Sequence, residues 1–253
     1  TQMQTMLQKQ IDRIGKHLFR EGSIVLPGAF TIEAGTMTSN GTVRVGTSIP
    51  YVRVSDYDNT NTAVNITNFS GLTISGTTNY IKAEIIEVAD GDQTTSNSKT
   101  LFVRYVTGSN ANTSITTFQP GEVLSSNAGT LIVLADGYVA NTTSTGHGSR
   151  FQIEQGVFFA KENFIAFPKQ SIILNRYNPV PYCKVGFLIT EEIISSLTDA
   201  SLLDPALEAS NYSAPGADRL KLANLLHVTS FDDTIGPPDF VTLFTIENGA
   251  LQS

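Results

Sequence analysis

Apolar side chains recur every three or four positions near the start of the chain: Met3, Leu7, Ile11, Ile14 and Leu18, with Lys9, Asp12, Arg13 and Lys16 between them. That spacing is one face of an α-helix and predicts a helix over residues 2 to 20. The stripe is narrow. It suits packing on the chain's own body and packing on a helix of another chain equally well, because about two and a half heptads fall short of a sustained coiled coil. Gly22 and Pro27-Gly28 close the segment.

From GSIVLPGAFTI onward the period changes to two. Thr42 to Val54, Ala63 to Gly76, Asn79 to Gly91 and Lys99 to Gly108 alternate apolar with polar residues, and turn-forming Gly, Asn or Asp punctuate them. No helix-length pattern separates these runs, so residues 29 to 145 predict one all-β module of the sandwich or small-barrel type.

Asn141 to Arg150, NTTSTGHGSR, is polar and lacks apolar periodicity, which makes it the linker candidate. Residues 146 to 253 then predict a second antiparallel β unit, with strands at Phe151 to Glu154, Gly156 to Phe159, Asn163 to Phe167, Gln170 to Leu174 and Cys183 to Ile194. Glu191 and Glu192 in the last of these belong near a sheet end. Leu197 to Arg219 is a long connection whose Leu202, Leu203 and Leu207 should tuck down, since a loop of that length is ordered by packing or serves a function. The strand pattern resumes in LKLANLLHVTSF and FVTLFTI. The final FTIENGALQS breaks off just after a strand, which reads as a piece of a longer protein.

Composition narrows the function classes. Sixteen basic against 23 acidic residues give a formal charge of −7, which offers no basic field for nucleic acid. No apolar run is long enough to predict membrane insertion. One cysteine, Cys183, excludes an internal disulfide framework.

No catalytic constellation is visible, and the chain reads as a non-enzyme with no cofactor. His17, His147 and His227 are scattered without a second ligand at zinc spacing. His147 and Ser149 sit in one Gly-rich stretch, which is no triad geometry. Asp residues two apart in SDYDNTN and ADGDQ read as Asx turns, because the Gly and distal Glu of a calcium hand are missing. A glycan-binding surface would have to lean on Tyr51, Tyr57, Tyr80 or Tyr105, since tryptophan is absent.

KQIDRIGKHLFREGSIVLPG, and then Glu154, Gly156, Val157, Phe159, Pro168-Lys169-Gln170, Glu191-Glu192, Leu202-Leu203-Asp204 and Ala214 to Arg219, resemble a family of virion structural proteins from contractile-tailed bacteriophages, cyanophages among them. The resemblance covers residues 150 to 222 most specifically. Residues 40 to 140 do not share it, as an inserted β module would not. It implies a tail or baseplate component of the virion that joins baseplate chains or anchors tail fibres. Other virion proteins, tail fibres and further copies of the chain are the implied partners. The alternative is a receptor-binding β module recognising host cell-surface glycan.

The expected organisation is therefore a mainly β protein: an N-terminal helix and arm over residues 1 to 28, then two antiparallel β units. Met3, Leu7, Ile11, Ile14, Leu18, Leu202, Leu203 and Leu207 are the candidate interaction residues. Pro215 and Gly216 are expected at the centre of a type II turn. Asp218 and Arg219 open the following strand, with Arg219 reaching Asp204 or Glu191 to pin the loop.

Overall fold

The computed structural model describes residues 2–26, 30–34, 48–78, 80–92, 97–106, 116–135, 143–204, 212–233 and 236–252. Helix α1 spans Gln2–Leu18, and β1 (Ser23–Leu26) and β2 (Phe30–Glu33) follow it. The protein is mainly β, with antiparallel sheets after that one N-terminal helix.

The next strands are β3 (Ile49–Val54), β4 (Thr73–Gly76), β5 (Lys82–Ala89), β6 (Lys99–Tyr105), β7 (Val123–Ser126) and β8 (Gly129–Ile132). They pair in the order β3-β6-β5-β4-β7-β8. Past its end β8 returns to β3: Val133 bridges Val54, and Leu134 N donates to Arg53 O at 3.0 Å. The sheet thus closes on itself, which removes its open edges and selects the barrel over the sandwich. Alternation dictates its filling. Val52, Val54, Leu101 and Val103 point inward with Ile74, Ile85, Phe118, Leu124 and Leu131. The run Ala63 to Gly76 is not one strand. Asn65 Oδ1 accepts from Thr67 N at 3.2 Å and caps a 3-10 turn at Ile66–Phe69, so only Thr73–Gly76 stays extended.

Residues Thr145–Arg150, expected within a linker, are strand. They begin β9 (Thr145–Ile153), which pairs with β3 through Thr145 to Gly148 and with β2 through Arg150 to Ile153. Buried Gly148, Ser149 and Arg150 hide this strand from any hydrophobicity pattern. Residues 141 and 142 lie outside the described residues, as do 42 to 47 of the first predicted β run.

The remaining strands are β10 (Gly156–Ala160), β11 (Asn163–Phe167), β12 (Gln170–Asn175), β13 (Cys183–Ile194), β14 (Arg219–Ser230), β15 (Phe240–Glu247) and β16 (Ala250–Gln252). β1-β10-β11 and β14-β13-β15-β16 form two further sheets, while β12 pairs with β9. Their shared core holds Phe151, Phe158, Phe167, Val185, Phe187 and Ile246. Phe158 and Phe187 stack there with ring centroids 4.8 Å apart. A third, smaller cluster joins the outer face of the barrel, through Ile49, Tyr51 and Phe102, to Ile173 of β12 and to Tyr177. The barrel and the second core are thereby packed together.

Candidate functional site

Helix α1 is held to the body by the side next to its charge-free aliphatic stripe, through Asp12, Gly15 and Phe19. Gly15 lies so close to β11 that a Cβ there would sit 2.7 Å from Phe164 Cζ and 2.8 Å from Phe159 Cε2. Buried Asp12 accepts a hydrogen bond from the Phe164 backbone, and Phe19 closes the contact with its ring centroid 5.7 Å from that of Phe164. Lys16 pairs with Glu162 at the β10–β11 turn.

That turn is fastened in turn to the rest of the body. Lys161 N donates to Glu21 Oε1 at 2.8 Å, and Lys161 Nζ reaches Glu191 Oε1 at 2.6 Å and Asp239 Oδ1 at 2.8 Å. The two carboxylates hold the Lys161 ammonium above its ordinary range by hydrogen bonding, Asp239 contributing most.

Because that face is used, Leu7, Ile11, Ile14 and Leu18 point away from the body and are 53% to 71% exposed. The self-packing option left open by the sequence is not the one taken. Covering the exposed part of each side chain is worth roughly 1 kcal/mol, so the stripe as a whole is a substantial unspent binding surface. Met3 belongs to the same helix, but its side chain lies outside the described residues.

A second apolar patch stands on a ribbon. β13 and β14 stay paired to Ile194–Arg219, whereas β15 accompanies β13 only to Leu188. On the two-stranded extension Ile193 and Leu220 face each other across the ladder, both exposed, and Leu197 beyond it is 96% exposed. Glu191 and Glu192 sit on this extension, near the sheet end as expected, with Glu192 3.6 Å from Lys221.

The loop after the ribbon is packed, as expected for Leu202, which is buried, and Leu203, which is half-buried. Leu207 lies outside the described residues. The loop's closure differs from the expected type II turn. Gly216 does not take a positive φ, and Ser213 does, at 60°. Gly216 N donates to Leu202 O at 2.8 Å, and Leu203 bridges Pro215. A Cβ on Gly216 would lie 2.3 Å from Leu202 O, so glycine is required there for close backbone approach.

Asp218 and Arg219 are both exposed, and Arg219 opens β14 as expected. Of the two carboxylates expected to hold Arg219, Glu191 pairs with Lys161 instead. Arg219 also acts on Asp199. Hydrogen bonds to Ser201 do most to hold the Asp199 carboxyl below its usual range, with Arg219 a smaller cause.

The remaining chemistry candidates are dispersed. Ser149 is buried and donates to Asn178 O at 3.0 Å, while His147 on the same strand is exposed. His17 is exposed on α1, and His227 lies edge-on to Phe240. Asp58 forms the expected Asx turn, accepting from Thr60 N and Thr62 N at 2.8 Å each. Among the described residues no three His, Cys, Asp or Glu side chains gather as metal ligands, and no helix is long and apolar enough to cross a membrane. Cys183 is buried, and that burial pushes its thiol up to about 11.

Two structural features escaped the sequence. Arg150, buried in β9, donates to Glu87 of β5 at 3.0 Å and Glu33 of β2 at 3.2 Å, tying barrel to body. Arg53 is fully enclosed, with Nη2 donating to Ser98 Oγ at 2.6 Å and Tyr177 lying over its guanidinium. Arg53 looked like an ordinary outward position of an alternating strand, and Arg150 closed the linker candidate. A cleft of about 620 Å³ between β5 and β12 is lined by Glu87, Ile172, Arg176 and Tyr177 among others. Its charged groups are already engaged: Glu87 by Arg150 and Ser171, and Arg176 by Asp90 O.

Comparison with protein-family models, curated proteins and solved structures finds no match to this chain.

Proposed function

We propose that the protein is a structural component of a phage tail or baseplate, joining baseplate chains or anchoring fibres through α1 and its β surfaces. One observation carries the reading: the aliphatic stripe of α1 faces outward while the neighbouring side of the helix locks it to the body. A helix fixed in this way presents a rigid apolar row without any ordering cost at the moment of docking. The exposed ribbon tip of β13 and β14 supplies a second patch of the same kind. The resemblance over residues 150 to 222 supplies the setting, a contractile tail.

The glycan-binding alternative draws less support. Tyr51 is in the core, and Tyr105 packs on Phe118, with burial pushing its hydroxyl up to about 12. Tyr57 and Tyr80 remain as exposed tyrosines of the four. Cross-linking mass spectrometry of purified virions tests the assembly role. Links from residues 2–20 or 197–219 to other virion chains are expected, and their absence in particles that contain the chain sinks it.

A further inference from the structure

We infer that the partner of the α1 stripe is a second copy of the same chain, docked helix to helix along the row Leu7, Ile11, Ile14 and Leu18. The inference rests on the assembly reading above and names its partner. The spacing of four, three and four places Leu7 and Ile14 at d and Ile11 and Leu18 at a of a heptad, the seam of a left-handed coiled coil.

The charges of the helix decide between occupants. Lys9 and Lys16 fall at f, Arg13 at c and Asp12 at b, all roughly 130° or more from the centre of the seam at 100° per residue. Of the described positions flanking the seam, Gln10 and His17 at g are exposed, while Gly15 at e is closed off against Phe164 and Phe159 of the chain's own body. Charged e and g residues are what select a different partner helix, and like charges there are what repel a copy. A seam whose open flank carries no Lys, Arg, Asp or Glu among the described residues meets its own image without like-charge repulsion there and offers no carboxylate, ammonium or guanidinium for a charged partner to read.

The same arrangement disfavours a lipid surface. An interfacial helix sets Lys and Arg along its polar face where they reach anionic headgroups beside the apolar face. Here Lys16 is committed to Glu162, and Asp12 and Gly15 are committed to the body beside the stripe. The body also lies beside the stripe, at Gly15, where it would meet a membrane surface before the helix could sink into it.

Sedimentation velocity of the full chain across a hundredfold concentration range, beside Ile11→Lys/Ile14→Lys and Ile14→Cys variants, tests the inference. The unaltered chain should form a concentration-dependent oligomer, and the double lysine variant should sediment as a monomer with an unchanged thermal transition. Ile14→Cys should cross-link to its own copy on oxidation, since Cys183 is buried and does not compete. A chain monomeric at every concentration, or an oligomer that survives the double substitution, overturns the inference. So does binding to phosphatidylglycerol vesicles that the lysine pair abolishes. A monomer whose α1 still cross-links to other virion chains overturns self-pairing alone and leaves the assembly role standing.

Discussion

Gly15 of α1 sits against the ring of Phe164 in β11 with no room for a side chain between them: a Cβ would come within 2.7 Å of Cζ. This contact fixes which side of the helix faces the body, and therefore which side faces out. Gly15→Leu should pry α1 from β10 and β11. Hydrogen exchange should then lose its protection over residues 6 to 18 while β13 in the second core keeps its own. Protection that persists in α1 would mean that another contact orients the helix.

Asp12 adds a pH dependence to the same contact. Burial raises its carboxyl above the ordinary 3.8, more than the hydrogen bond from Phe164 lowers it, and Oδ1 is buried without a partner. A carboxyl whose folded value is raised binds its proton more tightly in the folded state. Its contribution to stability is therefore greatest below the ordinary value and fades as pH rises through the raised one. Asp12→Asn should accordingly stabilise the helix contact at pH 7 and do little at pH 3. Unfolding of the two proteins compared at both pH values reads this, and a difference of the opposite sign would refute it.

Arg150→Met removes the cation that Glu87 and Glu33 share and leaves two partly buried carboxylates without their buried partner, Glu33 with exposed Arg104 and Glu87 with Ser171. The expected loss is about 3 kcal/mol in urea unfolding. Replacing Lys169, whose pair with Glu154 is largely exposed, should cost under about 1 kcal/mol.

The loop between β13 and β14 is held by backbone approach. Gly216→Val should break the Gly216 to Leu202 contact and expose residues 197 to 219 to limited proteolysis. Arg219→Ala, which removes an exposed charge near Asp199, should leave the cleavage pattern unchanged and the stability within about 0.5 kcal/mol.

What could be read from the sequence follows from where local pattern and tertiary environment agree. β10, β11, β12 and β13 were legible because their apolar runs pack into the second core, and the limits of β13 are those the sequence predicts; α1 was legible from an apolar period whose face the structure leaves exposed. The first part of β9, Thr145 to Arg150, was hidden because it reads Thr, Gly, His, Gly, Ser and Arg, and it is extended because β3, β2 and β12 bond to it; Phe151 to Ile153 fell within a predicted strand. Arg53 and Arg150 point to the polar side of alternating strands, and only the fold reveals that Tyr177, Glu33 and Glu87 cover that side. The aliphatic stripe was visible, but its freedom was not. Gly15 is the local signal that one side of the helix makes a close approach, and it lies off the stripe.

The most direct measurement of the central claim is the density of this chain in a map of an intact tailed virion. The account predicts density in the tail or baseplate with Leu7, Ile11, Ile14 and Leu18 buried against another chain. A stripe left facing solvent in the assembled particle, or a particle without the chain, would contradict it.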